Sequence, residues 1–310
     1  MYQQIAIALD GSPASLTAAA FARHIATSCY QVVHVIESNG PFGRVERPES
    51  QRDAERAELS DRFREEALDA MALSESGEPD LTVEIRYGDP VDELIAASEA
   101  SDMMLLTTRG RGVAGRTLFG SVADEVSRRG LRPTLILRPD HDLRYPERIV
   151  VPLDGGSRAE RAIPVARRLA VTLGCPIILV HVVDQEELEE TPFGHDEPGN
   201  TASGVAPDEV NVAIDQAATY LQRQELALET DEVTVQHRVI IGDTIPALIE
   251  FADPADIVVV ASRAHTGLRR LVDQSVAEHL VRRAPSPILI VHDRTQSSEH
   301  PTPDAAEPSP

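Results

Sequence analysis

The sequence repeats itself, and this repetition constrains the fold more than any other feature of the chain. Five blocks from the first half return in the same order in the second half. The blocks are Ile5–Ser15 and Ile149–Ala159, Gln31–Glu37 and Ile178–Asp184, Tyr87–Ile95 and Ile241–Ile249, Met103–Gly115 and Ile257–Arg269, and Arg128–Leu137 and Arg282–Val291. Ordered matches of this kind predict two homologous domains, which agrees with a length of 310 residues.

Short apolar runs alternate with helical stretches in each repeat. The expected strands are Gln4–Leu9, Gln31–Ile36, Leu81–Arg86, Met103–Thr107, Thr134–Leu137, Arg148–Leu153, Ile177–Val182, Val233–Val239, Ile257–Ala261 and Ile288–Val291. The expected helices of the first repeat are Ser12–Thr27, Ala54–Leu73, Pro90–Ala100 and Ser121–Arg129. This alternation is typical of a parallel sheet covered on both faces. The predicted fold class is α/β, with two doubly wound, five-stranded, Rossmann-like domains in tandem.

The repeats also set the expected domain boundaries. Repeat 1 spans residues 1–138, a short linker spans 139–147, and repeat 2 spans 148–293. Residues 294–310 are rich in Pro, Ser, Glu and Asp without an apolar pattern, and we expect a disordered tail. Two insertions rich in proline and glycine, Ser38–Arg52 and Gln185–Asp208, are expected to be loops.

Charge and composition exclude several classes of protein. The chain has 29 basic and 51 acidic residues, a net charge of −22, and every basic residue is arginine. Without lysine it is neither a P-loop nucleotide hydrolase, nor a protein kinase, nor a Schiff-base enzyme. The acidic balance argues against nucleic acid and against anionic membranes as partners. No apolar run is long enough to span a membrane, and we expect a cytoplasmic protein.

Candidate ligand-binding residues follow the strands of repeat 1. Asp10 follows the first strand, Thr107–Gly110 follow the fourth, and Gly120 and Ser121 open the next helix. In open parallel sheets, ligands bind at the carboxyl ends of the strands, and a helix N-terminus there favours phosphate. Arg109, Arg111 and Arg116 are candidate cations.

Simpler explanations of the same residues stay open at this point. Asp10, Gly11 and Ser12 could form only a turn, and Ser121 could serve only as a helix cap. His34 lies inside an apolar strand, where a packed core histidine is the commoner outcome.

Taken together, these features resemble the universal stress protein family, here as a tandem pair within the wider adenine nucleotide α-hydrolase-like group. The resemblance rests on the Asp after strand 1, the His-Val at the end of strand 2, the Gly-Asp-Pro before helix 3, the glycine loop and the last strand. The family's nucleotide motif, G-x2-G-x9-G-[ST], corresponds to Thr107, Gly110, Gly120 and Ser121, with threonine replacing the first glycine. The resemblance implies ATP or AMP in repeat 1, with Asp10 and Val35 at the adenine side. Any Mg²⁺ would come with the phosphates.

Repeat 2 departs further from the same motif. Its corresponding positions are Ala261, Ala264, Gln274 and Ser275, so that all three glycines are replaced, while Asp154 and Val182 remain. The resemblance therefore implies an asymmetric protein in which repeat 1 binds nucleotide and repeat 2 is a degenerate partner.

The resemblance also implies pairing through the last strand of each domain. The two repeats could pair within one chain, placing Thr134–Leu137 beside Ile288–Val291, and homo-oligomer formation stays open.

The favoured function is a nucleotide-binding regulatory protein of the stress response with little or no catalysis, since no residue is an obvious general base. The alternatives are a ligand-free interaction module and a slow ATP-hydrolysing or other adenine-nucleotide enzyme.

Overall fold

The computed structural model describes residues 2–25, 29–37, 39–40, 43–44, 49–71, 79–108, 120–139, 144–184, 207–262 and 276–292. Within these residues the chain forms one ten-stranded sheet with helices on both faces, and a two-stranded ladder beside it. The α/β fold class predicted from the repeats is confirmed.

The elements of repeat 1 follow the expected alternation. In chain order they are β1 (Gln4–Ala8), α1 (Leu16–Ala22), β2 (Cys29–Glu37), β3 (Asn39–Gly40), β4 (Gly43–Arg44), α2 (Glu49–Met71), β5 (Asp80–Gly88), α3 (Pro90–Ser98), β6 (Met103–Thr107), α4 (Ser121–Arg129) and β7 (Thr134–Leu137). The start of helix α3 follows from its sequence. The Asp89 side chain caps the helix by accepting from the amides of Val91 and Asp92, and Pro90 lies in the first turn.

Repeat 2 has the same order of helices and of strands of the large sheet. They are β8 (Arg148–Pro152), α5 (Ala162–Leu173), β9 (Ile177–Val183), α6 (Pro207–Leu228), β10 (Val235–Ile241), α7 (Thr244–Phe251), β11 (Asp256–Ser262), α8 (Val276–Arg283) and β12 (Ile288–His292). Helix α5 ends at Gly174, which takes a left-handed conformation that suits glycine.

The strand order locates the edge where a ligand would bind. It runs β10-β9-β8-β11-β12-β7-β6-β1-β2-β5. The first strand of each repeat therefore has a strand of the same repeat on either side: β1 lies between β2 and β6, and β8 lies between β9 and β11. This is the doubly wound order, and its topological switch point lies between β1 and β6 in repeat 1 and between β8 and β11 in repeat 2.

The two repeats join into one sheet at their last strands. β12 pairs with β7 in antiparallel fashion, whereas every other ladder of the large sheet is parallel. Apolar residues form one buried cluster on each face, and both clusters draw on both repeats. The face covered by α1, α2, α5 and α6 buries, among others, Ile7, Phe63, Leu169 and Leu221. The opposite face buries, among others, Met104, Val126, Val258 and Leu280.

Several expected boundaries differ from the structure. Helix α1 begins at Leu16 rather than Ser12, because residues 11–15 form turns in which Ser15 donates to the Ser12 carbonyl. The expected loop Ser38–Arg52 contains the β3–β4 ladder and the start of α2 at Glu49. Strand β10 starts two residues later than expected, because Val233 pairs with Thr230 in an isolated bridge.

Across the described residues, no helix combines the length and the apolar character needed to cross a membrane.

Candidate functional site

The turn after β1 is held together by Asp10. Its Oδ1 accepts hydrogen bonds from the Ser12 amide at 2.9 Å and the Ser12 hydroxyl at 2.6 Å, while its own amide donates to Ser15 Oγ at 3.3 Å. Gly11 has a φ of +80°, a conformation that favours glycine. The turn keeps the exposed Asp10 carboxylate at the carboxyl edge of the sheet.

Neighbouring residues of β2 face different surroundings. His34 Nδ1 lies 2.8 Å from the Leu9 carbonyl oxygen, and its ring packs on Phe63 with a centroid distance of 4.3 Å. Burial lowers the pKa of His34, so the imidazole is neutral and its Nδ1–H donates to Leu9. Val35 is half-buried and packs against the apolar cluster under α3 and α4. His34 is therefore a packed structural histidine, as the simpler explanation of the sequence favoured.

Two threonines end β6 at the switch point. Thr107 is the last residue of the strand and is half-buried. Thr108 is 1% exposed, and its amide donates to the Leu137 carbonyl at 2.9 Å. Its hydroxyl has no hydrogen-bond partner among the described residues. Arg109 and Gly110 lie outside the described residues, as do Arg111 and Arg116.

The start of α4 offers backbone donors. Gly120 is the N-cap in an extended conformation (φ −66°, ψ 137°), and Ser121 is the first helical residue and is exposed. The expectation that Ser121 caps the helix is wrong, because its backbone is already helical and the capping position falls one residue earlier. A glycine cap brings no side chain to the amides of the first turn, which point out of the helix end and attract anions.

Strand register brings the predicted residues to one edge. β1 pairs with β2 so that Ala8 is opposite Val33, and continuing this register places Asp10 level with Val35. β6 ends at Thr107 on the other side of β1. Helix α4 returns antiparallel to the strands, so its first turn lies at the same edge. Asp10, Val35, Thr107, Gly120 and Ser121 therefore flank the switch point of repeat 1.

Arg62 of α2 is a residue of this edge that sequence reasoning missed. Its Nη2 lies 3.1 Å from the position that a β-carbon on Gly11 would take, and its guanidinium stacks on the Phe63 ring at 4.6 Å. It also pairs with Glu66 at 3.3 Å. No motif marks it, since it is one of four arginines on a highly charged helix. Only the packing of α2 on α1 places this cation beside the Asp10 turn.

The corresponding edge of repeat 2 is built differently. Asp154 Oδ1 accepts from the Gly156 amide at 2.7 Å, which preserves the turn. His181 Nδ1, however, is buried and has no hydrogen-bond partner within the described part of the chain. Tyr220 takes the place of Phe63 at a ring distance of 6.5 Å. Ala261 lies in β11, while Ala264, Gln274 and Ser275 lie outside the described residues.

The described edge of repeat 1 has binding groups rather than a metal centre. Over the described ranges, the structure brings together no group of three or more His, Cys, Asp or Glu side chains that could hold a metal ion. The edge combines a carboxylate, an apolar wall, hydroxyls and a helix N-terminus. Together with the strand order, these features define a tandem α/β protein built from two doubly wound repeats.

Comparison with known proteins gives the family. The model of the universal stress protein family matches residues 1–138 and again residues 146–292. The chain belongs to the universal stress protein family.

Its relatives include proteins of similar length. One universal stress protein of Mycobacterium tuberculosis is 26% identical over 311 residues, covering 92% of this chain and 94% of the relative. A second from the same organism is 26% identical over 211 residues, covering 67% of each. The crystal structure of a universal stress protein from Archaeoglobus fulgidus has a TM-score of 0.66 at 18% identity, covering 93% of this chain and 98% of the other, which shows the shared fold.

Proposed function

We propose that repeat 1 binds an adenine nucleotide, ATP or AMP, and that the protein acts as a regulatory component of a stress response with little or no catalysis. The observation that carries this proposal is the glycine-capped N-terminus of α4 at the same sheet edge as Asp10, Val35 and Thr107. A helix end of this kind supplies amide donors without lysine.

The proposed site divides into two parts. Asp10 and Val35 would face the nucleoside, the carboxylate accepting hydrogen bonds from hydroxyl or amino groups and the valine giving an apolar wall. Thr107, Gly110, Gly120 and Ser121 would hold the phosphates through amides and hydroxyls, with Arg109 as a cation. A Mg²⁺ ion would be held through the phosphate oxygens, because the described residues offer no carboxylate cluster for it.

The side chains at this edge support slow or absent hydrolysis of the bound nucleotide. A general base must reach an attacking water beside the phosphate. The imidazole of His34 instead donates to the Leu9 carbonyl, and the Asp10 carboxylate holds a turn. These contacts support binding as the main role of repeat 1.

We further propose that repeat 2 is a degenerate partner that supplies fold and interface. The division into domains at 1–138 and 148–293, with a linker at 139–147 and a tail at 294–310, belongs to this proposal. The β7–β12 ladder supports an intramolecular pair of repeats. Cys29 and Cys175 are not joined to each other in a disulfide, which fits a reducing compartment such as the cytoplasm.

The test is a titration of labelled ATP and AMP against nucleotide-free protein. Asp10→Ala should weaken binding by about tenfold, because it removes a charged hydrogen-bond acceptor. Gly120→Gln should weaken it at least as much, because the side chain would occupy the phosphate position while the backbone, at φ −66°, accepts glutamine. Asp154→Ala is the matched control in repeat 2 and should leave binding unchanged.

Each failure has a separate meaning. Unaltered affinity in both repeat 1 variants would reject the proposed site. Absence of binding by the wild type would favour a ligand-free interaction module. Turnover of bound ATP within minutes would favour an enzyme.

A further inference from the structure

The ladder that joins the repeats has an internal two-fold relation. Its three residue pairs are Ile288 with Ile136, Leu289 with Leu135 and Ile290 with Thr134. Residues of the last strands correspond at a spacing of 154, so Leu289 corresponds to Leu135 and the register is symmetric about that pair. A second copy of β12 could therefore adopt the register that β7 has. The side chains next to the ladder decide which pairing is favoured.

His292 breaks the symmetry of this junction. It ends β12, is 9% exposed, and its Nε2 lies 3.2 Å from Thr134 Oγ1 on β7. Since the Thr134 hydroxyl donates to the Arg132 carbonyl at 3.0 Å, its oxygen accepts from His292 Nε2–H. The imidazole is thus hydrogen-bonded across the junction and closely packed.

Gly130, just after α4, makes room for this ring. A β-carbon on Gly130 would lie 2.7 Å from His292 Nε2, 2.8 Å from the Val126 carbonyl oxygen and 3.1 Å from His292 Cε1. The backbone does not require glycine, because its φ is −55°. The absent side chain therefore forms a recess for His292, and we call Gly130 and Thr134 the histidine recess.

Repeat 2 has no such recess at the corresponding position. Gly130 and Thr134 correspond to Ala284 and Ile288 at the same spacing of 154. Ala284 has the same backbone hydrogen bond as Gly130, 2.8 Å to the carbonyl four residues earlier, so the local backbone accommodates a methyl group. In a β12–β12 pair between two chains, His292 would meet the Ala284 methyl group and lose its hydroxyl partner to Ile288.

The reverse contact at this junction is compatible with repeat 2. Arg138 occupies the position in repeat 1 that corresponds to His292. Its Nη1 donates to the Arg282 carbonyl at 2.8 Å, near the end of α8. A long side chain directly after β7 thus fits against repeat 2, whereas the compact imidazole at the end of β12 fits against repeat 1.

We propose that His292 and the histidine recess select repeat 1 of the same chain as the partner of β12 and disfavour pairing with a second copy of repeat 2. This inference rests on the intramolecular pairing proposed above. It explains how two strands of almost equal apolar character avoid joining chain to chain.

Thermal unfolding tests whether Gly130 and the His292 ring are in steric contact. The four full-length proteins are the wild type, Gly130→Ala, His292→Ala and the double variant. Gly130→Ala should lower Tm by about 3–8 °C, the usual consequence of overpacking a tight contact. In the His292→Ala background the same substitution should lower Tm by about 1–2 °C or less, because the ring that it meets is gone. An equal decrease in both backgrounds would overturn the proposal.

Sedimentation tests partner selection. The wild type sets the reference mass at micromolar concentrations, because association through another surface would leave the β7–β12 pair in place. The double variant Gly130→Ala, Ala284→Gly moves the glycine of the recess to repeat 2 and should shift the mass toward twice the reference. Gly130→Ala, His292→Ala is the matched control and should keep the reference mass. A swapped variant that keeps the reference mass at every concentration would overturn selection by the recess.

Discussion

His292 illustrates how one side chain can carry both packing and a response to pH. Burial lowers its pKa from the ordinary 6.5 to about 4. The unfolded chain therefore binds a proton on this residue between pH 6.5 and pH 4, whereas the folded chain does not. Its contribution to stability is complete above pH 6.5 and is lost as the pH falls through this range.

We predict that acidification from pH 7 to pH 4 removes about 3 kcal/mol of stability through His292, on top of what other groups contribute. Urea unfolding of the wild type and of His292→Gln at both pH values measures this difference. His292→Gln should show a smaller decrease, because glutamine does not titrate. Equal decreases would show that the ring does not stay neutral in the folded protein.

Arg62 gives a prediction about ligand affinity. It places a guanidinium beside the Asp10 turn in a chain of net charge −22, where a nucleotide anion needs local positive charge. Arg62→Gln should weaken ATP binding by about fivefold, and more at low salt than at high salt. Arg56 lies on the same helix but contacts Asp53 and the Tyr87 ring, so Arg56→Gln removes the same charge and should change affinity little. Equal effects of the two variants would contradict a local role.

At the scale of the elements, an aspartate just before β6 and another at the start of β11 bind to the neighbouring strand of the sheet. Asp256 is 1% exposed and accepts from Arg148 Nε and Nη2 at 2.8 Å each, which ties the start of β11 to that of β8. Asp102 accepts from the amides of Gln3 and Gln4 at the start of β1.

We predict that Arg148→Ala destabilises the protein by about 3–5 kcal/mol, because it leaves the buried Asp256 carboxylate without its cation. Chemical denaturation of the full chain measures the change. Arg129→Ala is a suitable control, since its pairing with Asp92 is largely exposed and should contribute about 1 kcal/mol or less. A loss similar to that of Arg129→Ala would mean that Asp256 is satisfied by other groups.

The elements that could be predicted from sequence are those with clear local signals. β6, β7 and α4 have the expected bounds. Pro133 directly precedes β7, and Gly120 and Gly130 flank α4. Helix α1 was predicted too long, because the Asp10–Ser15 turns use hydroxyl hydrogen bonds that resemble helix capping in sequence. Arg62 and the histidine recess could not be predicted, since tertiary packing alone creates them.

At the scale of the whole molecule, contacts outside the shared sheet also link the repeats. Arg168 of α5 pairs with Asp102 at 3.1 Å and stacks on the Tyr2 ring at 4.3 Å. Arg282 of α8 pairs with Asp124 of α4 at 3.3 Å. These contacts lie on both sides of the β7–β12 ladder and hold the two repeats together.

We predict that the repeats stay associated after the linker is cut. A protease site introduced within residues 139–147 of the full chain allows cleavage, and the two fragments should elute together on gel filtration at micromolar concentration. They should separate only when denaturant is added. Fragments that separate freely in native buffer would contradict a stable interface between the repeats.

The antiparallel junction between β7 and β12 has a consequence for geometry. Because every other ladder of the large sheet is parallel, the carboxyl edges of the two repeats point in opposite directions along the strand axis. The molecule therefore presents two ends of unlike chemistry, one with the glycine-capped helix and one without it. A binding partner that covers the carboxyl edge of one repeat leaves the carboxyl edge of the other repeat facing away from it. A single chain can therefore present its two carboxyl edges to two different partners.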